Sequence, residues 1–276
     1  MSTIISAAEA EKLIQTSQDL VILDCRGDLN DKEAGWRLYQ TAHLPGALFL
    51  DGEKDLSAPV VEHGGRHPLP AIGSFSAKLE DCGLSNHSTV LAYGLYAPRL
   101  IMMLHLIGVT KTYLLDGDFA AWQQAGFPVT AEMNQPRPGR LVPEINQDLL
   151  VEMAEVKSKL ANPLVRLIDS RAPERYRGDV EPLDRIPGHI PGAENYFWQQ
   201  SFDEKGFLKS LEQLQDQVKS LNLKDQEEKI LYCGSGITAA FNYLVFHNLG
   251  IKCRVYAGSY SDWVSYPDNP VNTLQK

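Results

Sequence analysis

The stretch His43-Leu44-Pro45-Gly46-Ala47 returns as His189-Ile190-Pro191-Gly192-Ala193, and this pair decides the architecture. Two further matches follow the same order. Asp24-Cys25-Arg26 corresponds to Asp169-Ser170-Arg171, and Gly117-Asp118-Phe119 through Trp122 corresponds to Gly258-Ser259-Tyr260 through Trp263. The three offsets are 145, 146 and 141 residues. So steady a displacement marks one duplicated domain, because solenoid repeats are far shorter and more numerous.

Within each copy, short apolar runs (Val21-Ile22-Leu23, Val90-Leu91-Ala92, Leu167-Ile168, Ile230-Leu231) alternate with segments of helical pattern. That alternation predicts an α/β fold with a mainly parallel sheet flanked by helices in each copy. Ser6-Ala7-Ala8-Glu9 ahead of Leu13-Ile14 has the wording of a capping box, and Asn146 is the expected cap of the corresponding helix in copy two. Asn134-Gln135-Pro136-Arg137-Pro138-Gly139-Arg140 has linker composition. The expected organisation is a first domain over 1–133, a linker over 134–145 and a second domain over 146–276.

The chemistry concentrates in the second copy. There Ile230-Leu231-Tyr232 runs into Cys233-Gly234-Ser235-Gly236-Ile237-Thr238, followed by a helical stretch from Ala239 to Leu249 and a stop at Gly250. Ile237, Ala240, Phe241, Leu244 and Val245 fall on one helical stripe, which predicts a helix with one buried face. A thiol at such a strand-to-helix turn is a candidate nucleophile. The thiolate is the reactive form, and an ordinary thiol of pKa about 8.5 is only slightly ionised at neutral pH. Backbone N–H groups curled by two glycines, with the positive end of the helix dipole, favour the anion. Setting the central strands side by side places Tyr93 opposite Cys233, so only the second copy carries a thiol there. The first copy is then expected to serve as a structural partner.

The chain has 276 residues, a formal net charge of −9 and four cysteines without a Cys-x-x-Cys pair. The acidic balance argues against nucleic-acid and membrane-surface binding. The sparse cysteines argue against a disulfide scaffold. No basic leader precedes a long apolar run, so a cytoplasmic protein is expected. His63 and His67 are separated by glycines and do not share a helical face, so no metal is expected, and no phosphate-binding glycine motif points to a cofactor.

Two copies, paired His-x-Pro-Gly-Ala segments and one six-residue Cys loop in the second copy together resemble the tandem-domain rhodanese sulfurtransferases over essentially the whole chain. The resemblance implies a Cys233 persulfide formed from a sulfur donor and discharged to a thiol, cyanide or a thioredoxin-like acceptor. The uncharged loop Cys233-Gly234-Ser235-Gly236-Ile237 resembles the 3-mercaptopyruvate branch, whereas thiosulfate sulfurtransferases usually carry Cys-Arg-Lys-Gly. By the same resemblance, Gly234, Gly236, Ile237 and Thr238 hold the substrate sulfur, and Arg175 binds the donor carboxylate. The second arginine of that branch falls on Pro182, with Arg185 the nearby substitute. Ser235 and His67 match a relay that protonates departing pyruvate, with Asp51 or Glu53 as its acid.

Three alternatives are kept. The first is a thiosulfate sulfurtransferase, and the second a non-catalytic sulfur carrier or binding module. The third is a phosphatase or arsenate reductase, which needs an arginine closing the loop, whereas no arginine lies between Cys233 and Arg254. His43 and His189, present in both copies, are read as turn architecture, and Trp122 and Trp263 as core anchors.

Overall fold

The computed structural model describes residues 3–274. Contacts divide the chain into two compact units. Unit 1 takes the residues up to Ala58 together with Pro70–Asn146, and unit 2 takes Pro59–Leu69 with everything from Gln147. The expected order of two consecutive domains is therefore interrupted. Eleven residues from the middle of the first copy are stitched into the second unit, where the Gly64 N–H donates to Asp262 Oδ1 at 2.6 Å. His63 stacks on Tyr266 at 3.9 Å and bonds Ser265 through Nδ1. The stretch of linker composition is likewise tied down. Gly139 and Leu141 donate to the Glu80 carbonyl and carboxylate, Val142 to Asn86, and Glu144 to the Ile107 carbonyl.

Unit 1 runs β1 Ile4–Ile5, α1 Ala7–Thr16, β2 Leu20–Asp24, α2 Ala34–Thr41, β3 Leu48–Phe49, α3 Ile72–Asp81, β4 Thr89–Tyr93, α4 Ala97–Leu106, β5 Thr112–Leu115 and α5 Asp118–Gln124. Its sheet is parallel, in the order β1-β5-β4-β2-β3. Unit 2 repeats the plan with α6 Met153–Lys159, β6 Val165–Asp169, α7 Pro173–Arg177, β7 Glu194–Asn195, α8 Leu211–Lys219, β8 Glu228–Tyr232, α9 Thr238–Asn248, β9 Arg254–Val255 and α10 Ser259–Trp263. Its parallel order is β7-β6-β8-β9. Among the described residues, no helix is long and apolar enough to cross a membrane.

The repeated motifs are the joints of each unit. At the end of β2 the Asp24 carboxylate grips Arg26 at 2.6 Å and accepts the Tyr93 hydroxyl, which in turn receives the Leu44 N–H. In unit 2, Asp169 grips Arg171 at 2.6 Å and the Tyr232 hydroxyl accepts from the Ile190 N–H. These charges are almost completely buried, which is tolerable only because each is paired and hydrogen-bonded. His43 and His189 bond the carbonyls of Tyr39 and Tyr176 through Nδ1 at 2.7 Å. Trp122 and Trp263, both fully buried, donate to the carbonyls of Pro128 and Pro270. The histidines and tryptophans of the repeat are architecture.

Strand pairing corrects the expected alignment by one residue. Asp24 pairs with Tyr93 and Asp169 with Tyr232, so Tyr93 is the counterpart of Tyr232, and Gly94 stands where unit 2 has Cys233. Two further expectations change. Helix α9 is buried from Ala239 to Phe246 on every side, because Trp198 and Phe202 pack on Phe241 while the sheet takes the opposite face. Asn146 does not cap α6, which starts at Met153 after Glu152; the Asn146 N–H instead donates to the Leu106 carbonyl. The Ser6–Glu9 capping box on α1 is present in both directions.

Gly94 has φ +103, and a Cβ there would lie 2.2 Å from the Arg26 nitrogen, whereas Gly46 has φ +80 and nothing within 4 Å. Gly94→Ala should therefore cost roughly 3 kcal/mol or more of unfolding free energy, and Gly46→Ala about 1 kcal/mol. Equal losses in denaturant titrations would contradict this account of the turn.

Candidate active site

Cys233 follows β8 directly and is 2 % exposed. The loop then turns through Gly236, at φ +81, and enters α9 at Thr238, with buried Ile237 as its N-cap residue. This brings the Gly236 N–H to 3.1 Å from Sγ. Burial pushes the thiol pKa up. Against it act the Thr238 hydroxyl and the N–H groups of Ala239, Ser235 and Gly236 around the sulfur, and they win: the Cys233 pKa is held below that of an ordinary thiol. The other cysteines, Cys25 and Cys82 buried and Cys253 half-buried, show what enclosure does without such donors. Cys82 is raised to about 11, Cys253 to about 12, and Cys25 is raised by burial and by neighbouring Asp24.

The loop is held from behind by the segment opening α10. Tyr260 and Ser261 donate their N–H groups to the carbonyls of Cys233 and Gly234, each at 2.9 Å. Ser259 is fully buried in the left-handed region at φ +58, a conformation few non-glycine residues adopt. Its hydroxyl accepts the Cys233 N–H at 3.1 Å, donates to the Tyr256 carbonyl and lies 3.9 Å from Sγ. Sequence reasoning missed Ser259. Its signal was in the repeat, where Gly117-Asp118 stands for Gly258-Ser259 and Asp118 holds the same backbone at φ +59.

Ser235 and His67, 168 residues apart in the chain, meet within unit 2, with Ser235 Oγ 2.7 Å from His67 Nδ1. The two acids considered for this pair lie in unit 1. Asp51 Oδ1 accepts the N–H groups of Glu53 and Lys54, and Glu53 accepts the Tyr96 hydroxyl.

Arg175, on α7, is brought to the loop. Its guanidinium donates through Nε and Nη2 to Glu181 and through Nη2 to Asp184. Arg66, not singled out from sequence, arrives beside it and pairs with Asp184 through Nη1. Both guanidinium tips lie over Gly234, where a Cβ would lie 2.9 Å from Arg66 Nη2 and 3.4 Å from Arg175 Nη1. Burial raises the Glu181 pKa, but the bond from Arg175 and the N–H groups of Asp184 and Leu183 outweigh it, leaving Glu181 below the usual range. Asp184 moves the other way, because burial and neighbouring Glu181 exceed the help of Arg66, Arg175 and Arg171. Arg185 is exposed and makes no hydrogen bond or ion pair with the described residues. The structure therefore brings together Cys233, Gly234, Ser235, Gly236, Ile237, Thr238, His67 and Arg175, and leaves Arg185 outside their bonding network.

The site's chemistry is thus a low-pKa sulfur in a nest of donors, a serine–histidine pair and two guanidinium edges. Comparison with known proteins agrees in kind. The Rhodanese-like domain model matches twice, over residues 6–125 and 152–266. A probable 3-mercaptopyruvate sulfurtransferase of Pseudomonas aeruginosa is 40% identical over 263 residues, covering 92% of this chain and 93% of the relative. A putative thiosulfate sulfurtransferase, SseB, of Mycobacterium tuberculosis is 32% identical over 274 residues, covering 97% and 96%. The crystal structure of SseA from Escherichia coli, a 3-mercaptopyruvate sulfotransferase, superposes with TM-score 0.81 at 26% identity over 95% of this chain and 100% of that one. The chain belongs to the rhodanese-like domain family, with two copies of the domain in tandem.

Proposed function

We propose that the protein is a sulfurtransferase that takes sulfur from 3-mercaptopyruvate onto Cys233 and passes it to a thiol or cyanide. The observation that carries this reading is one buried sulfur that receives the Gly236 N–H at 3.1 Å and whose pKa the Ser235 and Ala239 N–H groups and the Thr238 hydroxyl also hold down. The same donors suit a persulfide, whose outer sulfur carries the charge, so the nest serves both forms of the enzyme.

In the first half-reaction the Cys233 thiolate attacks the donor's sulfur. The S–S bond forms as the carbon–sulfur bond breaks, its electron pair goes to carbon, and pyruvate enolate departs. The donor thiol gives up one proton and the enolate takes up one, leaving Cys233 as a persulfide anion and pyruvate as product. The sulfur pair is oxidised by two electrons and the carbon is reduced to a methyl group, so no further oxidant or reductant enters. In the second half-reaction the acceptor attacks the outer sulfur and Cys233 leaves as thiolate. A thioredoxin-like dithiol is one acceptor consistent with this step.

In this reading Ser235 and His67 deliver a proton in the first half-reaction, where the enolate takes one up. At 2.7 Å the hydroxyl and imidazole are hydrogen-bonded, and the hydroxyl belongs to the residue two places after the nucleophile. Arg175, held by Glu181 and Asp184, binds the donor carboxylate in this reading, since a guanidinium matches a carboxylate with parallel N–H groups.

The direct test is the intact mass of the reduced protein after separate exposure to 3-mercaptopyruvate and to thiosulfate. A one-sulfur adduct, faster from 3-mercaptopyruvate and lost in Cys233→Ala, is the expected result. A faster adduct from thiosulfate would move the assignment to that donor, and none from either would leave a non-catalytic module. Ser235→Ala should slow pyruvate release by about 100-fold, leaving cyanide discharge of a preformed persulfide within roughly threefold. Equal losses in both steps would remove Ser235 from proton delivery. In His67→Ala one limb of the pH–rate profile for the first half-reaction should vanish, and an unchanged profile would exclude His67.

A further inference from the structure

We infer that His63 is a positioning residue for the first half-reaction: anchored on the chain at the end of α10, it holds the segment Pro59–Leu69 so that His67 meets Ser235. This rests on the Ser235–His67 reading and adds to it a residue whose own ring contacts are with Ser265 and Tyr266. The eleven residues Pro59–Leu69 fold with unit 2, while both ends continue into unit 1. The run of chain that builds the rest of unit 2 therefore does not place His67, and contacts must do so. The segment is also pliant in its own right, because Gly64 at φ +98 and Gly65 at φ +82 are consecutive and glycine has the most backbone freedom to lose. A fixed point on each side of these glycines is needed to aim the imidazole of His67.

The first point is Ser261. Its hydroxyl oxygen accepts the Arg66 N–H at 3.0 Å, and its own N–H donates to the Gly234 carbonyl at 2.9 Å. One residue of α10 thus bonds both the nucleophile loop and the residue before His67. A single point still leaves the segment free to pivot. The second lies on the far side of the glycines, where the Gly64 N–H donates to Asp262 Oδ1 at 2.6 Å and Asp262 Oδ2 is held by the Tyr256 hydroxyl at 2.6 Å.

His63 completes that second point. Its ring lies flat on Tyr266, with 3.9 Å between centroids and 9° between planes, and its Nδ1 is 2.8 Å from Ser265 Oγ. Ser265 gives its one hydroxyl proton to the Asp262 carbonyl at 2.7 Å, so its oxygen accepts and His63 Nδ1 carries the donated proton. The four residues before His63 are exposed, Val60 and Val61 at 64 % and 68 %, so burial of the segment begins at His63. Ser261, Asp262, Ser265 and Tyr266 follow one another within six positions, and the same stretch begins by holding the Cys233 loop. The nucleophile and the histidine that serves it are thereby referred to one short piece of chain.

Single-turnover release of pyruvate at saturating 3-mercaptopyruvate, set beside cyanide discharge of a preformed persulfide, tests this. His63→Ala should slow pyruvate release about 10- to 100-fold, the cost of misplacing a catalytic group by about 1 Å, and leave discharge within about threefold. His63→Asn keeps an N–H donor near the position of Nδ1 and should release pyruvate within about fivefold of the unaltered protein. In His63→Ala/His67→Ala, pyruvate release should stay within about twofold of His67→Ala alone, because an anchor adds nothing once the group it aims is gone. Losses that multiply in the double variant, equal slowing of both half-reactions in His63→Ala, or pyruvate release in that variant within about twofold of the unaltered protein would each overturn the inference. Failure of the underlying reading looks different, because His67→Ala would then release pyruvate at the unaltered rate.

Discussion

The site depends on one balance, a sulfur anion held almost out of contact with water. Enclosure drives the other thiols of this protein upward, with nearby carboxylates adding to it at Cys82 and Cys25. Cys233 is as deeply enclosed as Cys25 and moves the opposite way because the Gly236 N–H donates to its sulfur and the Thr238 hydroxyl and the Ala239 and Ser235 N–H groups add to its stabilisation. Those donors exist only because the chain leaves β8, reverses at Gly236 and starts α9 within a few residues, which points successive N–H groups inward. The strain at Ser259 is part of the same construction, since its hydroxyl secures the Cys233 N–H while its neighbours hold the loop carbonyls.

The two copies show what the fold requires and what the chemistry adds. Both keep the buried Asp–Arg pair, the tyrosine that ties it to the His-x-Pro-Gly-Ala turn, and the tryptophan capped by a proline carbonyl. At the turn after the central strand they part. Unit 1 has Gly94, backed so closely by Arg26 that no side chain fits, and enters α4 at Ala97, with Tyr96 lying against Gly27 and Gly52. Unit 2 has Cys233 and two more residues before its helix, and that extra length is what wraps the sulfur. Duplication thus left one turn closed by packing and one opened into a nest.

The sequence made the duplication legible because the repeated motifs are joints, and joints keep their spacing. The capping box of α1 was legible for a similar reason, since it is written within four consecutive residues. What escaped was what depends on distant chain. Apolar runs cannot fix strand register to one residue, so Tyr93 was set against Cys233 until the pairing of Asp24 with Tyr93 placed Gly94 there. The second buried face of α9 is made by Trp198 and Phe202, some forty residues before Phe241. Arg66 could be reached only by knowing that Pro59–Leu69 crosses to unit 2. The Ser235–His67 pair, equally remote in sequence, came from the family resemblance, and no local pattern encodes it.

The most direct test of the central balance is the pH titration of the Cys233 thiolate, read as the ultraviolet thiolate absorbance of the protein minus that of Cys233→Ser. The account predicts an anion that forms below the ordinary thiol pKa of about 8.5, because the donors outweigh burial. A midpoint at or above that value would mean that burial wins, and the loop would then be a turn like that of unit 1 rather than a cradle for sulfur.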